Sequence, residues 1–511
     1  MFRNIKLFLI LITCFSMASC LDKVPSSAIP EQEAMMTFSD AEQTVTGIYA
    51  LLKSSALYSG YLTLLPDIQS DLVYAVDGYT NVYGTFWQWD IRPTNAEIES
   101  VYAALYNVIS NCNFFLENIG RVMDAQVSDE HITILEQYTG EVHTIRAMAY
   151  SELLKCFCKA YDPATAENEL GVVLRKGYSQ PEPSKRASLY DSYAFVLDDL
   201  TKAEELLDSE YDAYSSNYIT ESVAFALRAR VALNMQDWDE AIKYSSKVID
   251  HPDRVYSLSS ASSLSSKYNM SYFDQMWCYD DSPEVLWRIE FTTTSPGGSL
   301  GSVFLHFNND YTYYYPDYVP AQWVLNLYDD ADLRYGSYFY EAQTGYDHQL
   351  SWPLLIKYYG NRDFINSNLL YHISMPKPFR LAEQYLIRAE AYCRSAEPNF
   401  GLASKDLTTL RAARYSAGGG AISLSADDFI QKIADERVRE LYMEGFRLND
   451  LKRWGTLYNN GKGFTRTPQR SSLSEGSSLS VSLDNPMFVW PIPQHEIEAP
   501  GSEVVGNDSN K

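Results

Sequence analysis

The chain has 511 residues, with 66 acidic against 41 basic side chains and a formal charge of −25 at neutral pH. That length can bury a large core, while a field of this sign repels nucleic-acid phosphates and anionic lipid headgroups, so a neutral or cationic ligand fits better. Tyrosine outnumbers phenylalanine 40 to 22, and rings that are apolar with a polar tip suit surfaces that must be apolar and wet together.

Arg3 and Lys6 precede an apolar run from Leu7 to Met17, and the small residues Ala18 and Ser19 lead into Cys20. This is the pattern of a secretory signal peptide over residues 1–19. Its apolar run is too short to span a bilayer core of about 30 Å as a helix. A cysteine directly after small residues resembles a lipobox, so Cys20 is expected to become the lipidated mature N-terminus, with acyl chains contributing about 0.8 kcal/mol per buried CH₂ as the only membrane attachment. The later cysteines fit neither a disulfide framework nor a metal site, and Cys156 and Cys158 are expected to be packing residues.

The amphipathic pattern then predicts helices over residues 40–53, 95–119, 141–159 and 188–207. Between the first two lies Tyr74 to Trp89, whose rings Tyr79, Tyr83, Trp87 and Trp89 sit among Asn81, Asp77, Gly78 and Gly84, on a turn-rich backbone. From Thr220 to Asp250 two apolar faces stand back to back, Val223, Leu227, Val231 and Met235 before the polar break Gln236-Asp237, then Trp238, Ala241, Ile242, Val248 and Ile249. That is an antiparallel hairpin similar to a tetratricopeptide pair. Residues 255–371 are irregular, with a period-two strand pattern from Val285 to Phe291 and a second aromatic segment, Phe304 to Tyr318, holding Tyr311, Tyr313 and Tyr314 beside Asn308, Asn309 and Asp310. Helices are predicted again over 381–395 and 425–454, the latter capped by Ser425 with Asp428 and stopped at Gly455. Serine-rich stretches at 257–266, 416–426 and 471–482 read as loops.

The run Glu436-Arg437-x-x-Glu440-x-x-x-Glu444-Gly445-x-Arg447-x-x-Asp450-Leu451-x-Arg453-Trp454-Gly455 resembles the SusD/RagB family. Matching features recur in order along the mature chain: Cys20-Leu21-Asp22, Thr46-Gly47-Ile48-Tyr49, Arg146-Ala147, Asp237-Trp238, Leu381-Ala382-Glu383 through Ala391, and Pro491-Ile492-Pro493. The resemblance implies a mainly α fold, in which a scaffold of tetratricopeptide-like helix pairs carries long irregular ligand-binding loops and minor β structure. Residues 20–254 are expected to form the N-terminal helical part and 255–511 a C-terminal part with irregular loops, packed as one globule. It further implies a lipid-anchored outer-membrane protein on the cell surface that takes up a glycan with a SusC-like TonB-dependent transporter as its partner. Within the charged run, Glu444 with Arg447, Asp435 with Arg439 and Arg447 with Asp450 have the spacing of ion pairs along one helix, a scaffold role. Gly445 is expected to admit a neighbouring backbone.

Sugar recognition needs rings for the apolar C–H face of a pyranose and amide or carboxylate groups for its hydroxyls. Both aromatic segments offer that mixture, making Tyr79, Asn81, Tyr83, Trp87, Trp89, Tyr311, Tyr313 and Tyr314 the ligand-binding candidates. The same rings equally suit packing of the loops on the scaffold, and at least two are expected to be exposed. No His-Glu-x-x-His, Gly-x-Ser-x-Gly, Walker or dinucleotide motif occurs, so neither catalysis nor a metal or cofactor is expected. The alternatives are a peptide-binding subunit of such a transporter and a surface glycoside hydrolase with paired carboxylates.

Overall fold

The computed structural model describes residues 34–76, 78, 80–125, 128–178, 183–307, 312–346, 351–416, 419–466 and 479–511. Thr37 opens the first helix, α1 (Phe38–Leu51), with a capping box: its Oγ1 accepts from Asp40 N at 3.2 Å and Asp40 Oδ2 accepts from Thr37 N at 2.8 Å. Helix α2 (Tyr61–Gln69) follows, then α3 (Ala96–Asp124) and α4 (Asp129–Phe157). Helix α4 begins at Asp129, not Glu141. Ser128 accepts from His131 N, and Asp129 and Glu130 suit the positive end of a helix, but these first turns are too polar to register as apolar periodicity.

Ser188 caps α5 (Leu189–Leu206). The predicted hairpin is α6 (Glu221–Met235) and α7 (Trp238–Ile249), joined through Gln236 in the left-handed region (φ 63°) and capped by Asp237, which accepts from Glu240 N at 3.2 Å. From α3 to α7 each helix packs on its chain neighbour. The stack then resumes more than a hundred residues later, where α8 (Leu381–Arg394) lies against α7 and carries α9 (Phe400–Ala412) and α10 (Phe429–Leu441). Residues 250–380 therefore read as an insertion between two neighbouring helices.

The β structure among the described residues is a set of two-stranded antiparallel pairs: β1 (Val73–Ala75) with β5 (Tyr318–Pro320), β2 (Leu170–Val173) with β3 (Arg186–Ser188), β4 (Val285–Trp287) with β8 (Phe379–Arg380), β6 (Phe339–Gln343) with β7 (Ser351–Leu355), and β9 (Phe464–Arg466) with β10 (Leu479–Val481). The strand pattern at 285–291 shrinks to β4, which faces Phe379 and Arg380 and bridges to Ser216; beyond it Arg288 N donates to Ser216 O at 2.9 Å and Ile289 N to Pro376 O at 3.0 Å without extending the ladder. Its ladder partner Phe379–Arg380 leads directly into α8, tying the insertion to the stack. One apolar cluster runs from Met35 through α1 and α3 to α8 and includes Trp287, Phe379 and Trp490; a second lies beneath the insertion, with Leu64, Trp87, Phe304, Tyr318 and Tyr442. Cys156 and Cys158 are buried, and burial pushes the Cys156 thiol up to about 12, as suits packing residues.

The single helix predicted over 425–454 is broken. Helix α10 ends at Leu441, Met443 and Gly445 turn the chain at φ 59° and 84°, and α11 (Arg447–Trp454) starts afresh, ending at Gly455 as expected. The cause is tertiary. A Cβ on Gly445 would lie 2.5 Å from the Leu62 carbonyl of α2, and the buried Asp67 carboxylate accepts the Gly445 and Arg447 N–H groups, each at 2.9 Å. The three expected intrahelical ion pairs do not form either: the turn separates Glu444 from Arg447, while Asp435 and Arg439 on α10, and Arg447 and Asp450 on α11, take other partners. Glu444 faces Arg380 and Lys357, Arg447 forks onto Asp71, Asp450 meets Arg437 and Arg453, and Arg439 pairs with Glu436.

Those side chains belong to a buried charge network. Glu440 on α10 accepts from Arg414 at 2.8 Å and from Arg380 and Arg334 at 3.0 Å, while Glu284 beside β4 faces Arg380 and Arg414. Arg334 also reaches Asp332 and Glu436. Glu440→Gln should lower stability by roughly 3–5 kcal/mol, because it leaves buried guanidinium charge uncompensated; a lower urea midpoint at unchanged slope is the expected readout. Burial alone would raise the Glu436 carboxyl, but Arg334, Arg439 and Arg411 hold it at about 2. A folded pKa below the ordinary 4.5 contributes stability that is present above pH 4.5 and lost as pH falls toward 2. Acid titration of unfolding free energy should show that loss, reduced in Glu436→Gln.

Candidate ligand-binding face

The two aromatic segments, far apart in sequence, are hydrogen-bonded to one another. Strand β1 (Val73–Ala75) pairs antiparallel with β5 (Tyr318–Pro320), Val73 opposite Pro320 and Ala75 opposite Tyr318. Beyond the ladder Val76 N donates to Asp317 O at 3.0 Å, Thr80 donates to Asp317 Oδ1 through both its N–H (2.7 Å) and its hydroxyl (2.8 Å), and Tyr318 OH donates to Val82 O at 2.6 Å. Both loops leave the sheet side by side.

Their side chains divide sharply. Asn81 is exposed at φ 63°, and Tyr83, at φ 55°, is half-buried with its ring edge-on to Tyr61 at 5.8 Å. Tyr313 is 39% exposed. Tyr314 is half-buried, packs on Phe307 at 4.7 Å, and has its hydroxyl raised to about 12 by burial and by Tyr359 and Tyr340. Burial, with Tyr61, Glu97 and Asp317 adding to it, likewise takes Tyr83 to about 12. These phenols stay neutral donors at any physiological pH.

Trp87 and Trp89 are corrected to core residues. Trp87 is 0% exposed, its Nε1 donates to Val73 O at 3.4 Å, and the Arg466 guanidinium covers its ring at 4.2 Å. Trp89 is 8% exposed, donates to Gln69 O at 2.7 Å and packs on Phe488 at 4.9 Å. The left-handed Tyr83 starts a short helix, Gly84–Trp87, and that turn sends Phe86 and Trp87 inward. Tyr79, Tyr311 and Cys20 lie outside the described residues.

Other segments complete the face, and sequence reasoning missed them. Tyr346 donates to Pro316 O at 2.8 Å and stands edge-on to Tyr315 at 5.2 Å; Tyr371 is edge-on to Phe307 at 5.7 Å; Tyr359 lies 6.2 Å from Tyr371. All three are partly exposed. The available signal was the density of tyrosine between residues 335 and 371, spread too thinly to mark a loop. His372, buried among these rings, is lowered to about 4 by burial and by His306, so it is neutral at pH 7. At the other end of the β1–β5 pair an open groove of about 420 Å³ sets Trp323 and Tyr458 beside Gln322, Asn326 and Asn459. Among the described residues no group of three or more His, Cys, Asp or Glu is placed to hold a metal, and no helix is long and apolar enough to cross a membrane.

A family model described as the SusD family matches residues 355–507, and another, described as starch-binding associating with outer membrane, matches residues 19–233. SusD-like protein P25 of Formosa agariphila is 23% identical over 496 residues, covering 89% of this chain and 90% of that one. Among solved structures, a SusD superfamily protein from Bacteroides thetaiotaomicron superposes with a TM-score of 0.75 at 22% identity, covering 92% of this chain and 99% of that one. A SusD-like carbohydrate binding protein from Bacteroides vulgatus gives 0.66 at 22% identity, with 82% and 84% covered. Likeness at such identities establishes the shared fold.

The division between core and surface rings is measurable. Trp87→Ala should cost about 3–5 kcal/mol, as for other buried tryptophans, whereas Tyr313→Ala should change unfolding free energy by no more than about 0.5 kcal/mol; denaturant melts of the two variants check this.

Proposed function

This chain belongs to the SusD/RagB family, and we propose that it is a cell-surface lipoprotein that captures a glycan on the two-loop tyrosine face and delivers it to a SusC-like TonB-dependent outer-membrane transporter. The observation that supports this reading is the β1–β5 pairing, from which the loop holding Asn81 and Tyr83 and the loop holding Tyr313 and Tyr314 both leave. A pyranose meets both of its needs there, ring faces for its C–H surface and phenol or amide groups for its hydroxyls. Capture without chemistry is part of the same reading, in which Asp317, the buried carboxylate between the loops, serves to hold Thr80. Attachment runs through lipid on Cys20, and Cys20→Ala is expected to leave the outer membrane when the transporter is absent.

Calorimetric titration with soluble oligosaccharides tests the reading. Alanine at a central ring, Tyr314 or Tyr83, should weaken binding about thirtyfold, the equivalent of about 2 kcal/mol, while rim positions change little. Affinity should respond weakly to salt, because the ligand is neutral. Chromatography after long incubation should recover the sugar intact. Unchanged affinity in Tyr83, Tyr313 and Tyr314 variants that remain folded would remove the face from the mechanism. Binding of peptides in place of sugars would change the cargo, and steady release of shorter sugars would make the protein a hydrolase.

A further inference from the structure

Away from the tyrosine face, α1, α4 and the segment from Tyr211 to Thr220 enclose a cleft of about 360 Å³. Four of its walls are rings, Tyr49, Tyr138, Tyr211 and Tyr218, and its acid groups are Glu42 and Glu141; among the described residues no lysine, arginine or histidine lines it. Tyr211 and Tyr218 stand at the mouth, 48% and 60% exposed, and Tyr218 meets Tyr49 edge-on at 5.5 Å.

Glu141 forms the floor, 3% exposed. Its Oε2 accepts from Tyr49 OH at 2.7 Å and its Oε1 from Gln137 Nε2 at 3.3 Å. Other buried carboxylates are compensated differently. Asp199, Glu284, Glu390 and Glu440 each face a guanidinium, and Asp67 takes two backbone N–H groups. Among the described residues Glu141 has neither. A buried carboxylate served only by neutral donors is costly as an anion, and it opens onto a ring-walled space with room for a positive group.

We propose that this cleft binds an organic cation, an alkylammonium or guanidinium group seated against the Glu141 carboxylate with the tyrosine rings around it. Ring faces attract such cations, by about 0.5–1 kcal/mol where exposed and more when desolvated. Burial raises the Glu141 carboxyl to about 7 against the pull of Tyr49 and Gln137, so near neutrality an entering cation takes the place of a proton, which leaves to solvent. The polar and titratable groups facing this site are Tyr49, Glu42 and Thr46 from α1, Gln137 and Tyr138 from α4 itself, and Tyr211, Ser216, Tyr218 and Thr220 from the third wall. His143, two residues along α4 and so on its opposite face, is turned away onto Asp199.

Calorimetric titration of the intact protein with choline, butylguanidinium and the uncharged choline isostere 3,3-dimethylbutan-1-ol tests the assignment. Both cations should bind and the isostere should not, with Kd weakening about tenfold for each pH unit below 7 and levelling above it. Glu141→Gln should abolish the preference for charge. Tyr218→Ala, which removes an exposed ring and leaves the fold intact, should weaken the cations about threefold. Tighter binding of an arginine tripeptide than of butylguanidinium would place the natural cation on a polypeptide; equal binding would make it a free small molecule, and either result supports the site. Equal affinity for choline and its isostere, or cation binding indifferent to both substitutions, would overturn the proposal and leave Glu141 a protonated structural acid.

Discussion

The carboxylate of Glu440 sits fully buried among three guanidinium groups, and each of those groups comes from a different part of the chain. Arg380 begins α8, Arg414 follows α9, and Arg334 belongs to the insertion, as does Glu284, which shares two of the same arginines. Removing any member would strand opposite charge in a medium of low polarizability, so all must be present and in register together. The inserted residues 250–380 have little regular structure to hold them. Their attachment combines this network with the short β4 ladder beside it, the β1–β5 pair and the apolar cluster of Leu64, Trp87, Phe304, Tyr318 and Tyr442.

The tyrosine face inherits its geometry from that attachment. One loop follows β1, in the N-terminal part of the chain, and the other precedes β5, inside the insertion, so the face exists only when the insertion is docked. Tyr442 ties the two together: its hydroxyl donates to Leu72 O at 3.1 Å, one residue before β1, from the turn that ends α10. The same turn is held by Asp67, whose carboxyl burial raises to about 7 while the two N–H groups it accepts pull the other way. Scaffold and binding surface are thus mechanically one unit.

Much of this was legible in the sequence. Helices with one apolar stripe, such as α6 and α7, announce themselves because solvent and core impose the period. The break at Tyr442 did not: Gly445 was rightly read as admitting a neighbouring backbone, but that this backbone belongs to α2 and interrupts the helix is not written in any local pattern. Charges at helical spacing suggested particular neighbours along one helix, but Glu444 and Arg447 found distant partners in Arg380 and Asp71, while Arg439 and Asp450 paired with Glu436 and Arg453, three residues away. At the face, composition picked out two segments that the β1–β5 pair joins, and could not orient their rings. Tyr83 and Trp87 lie within one turn of each other, and a left-handed residue between loop and helix decides which looks outward. Tyr346, Tyr359 and Tyr371 were missed because isolated tyrosines carry no positional signal until the fold gathers them.

The two surfaces differ in chemistry in a way that suits separate ligands. The face is rich in tyrosine rings, whereas the cleft at Glu141 holds two carboxyl groups and, among the described residues, no lysine, arginine or histidine. Hydrogen–deuterium exchange with and without a saturating oligosaccharide tests the central claim that both loops bind as one surface. Protection should rise together in residues 80–83 and 312–315, with the helices α6 and α7 unchanged. Protection confined to one loop, or appearing only elsewhere in the chain, would contradict a composite face built on the β1–β5 pair.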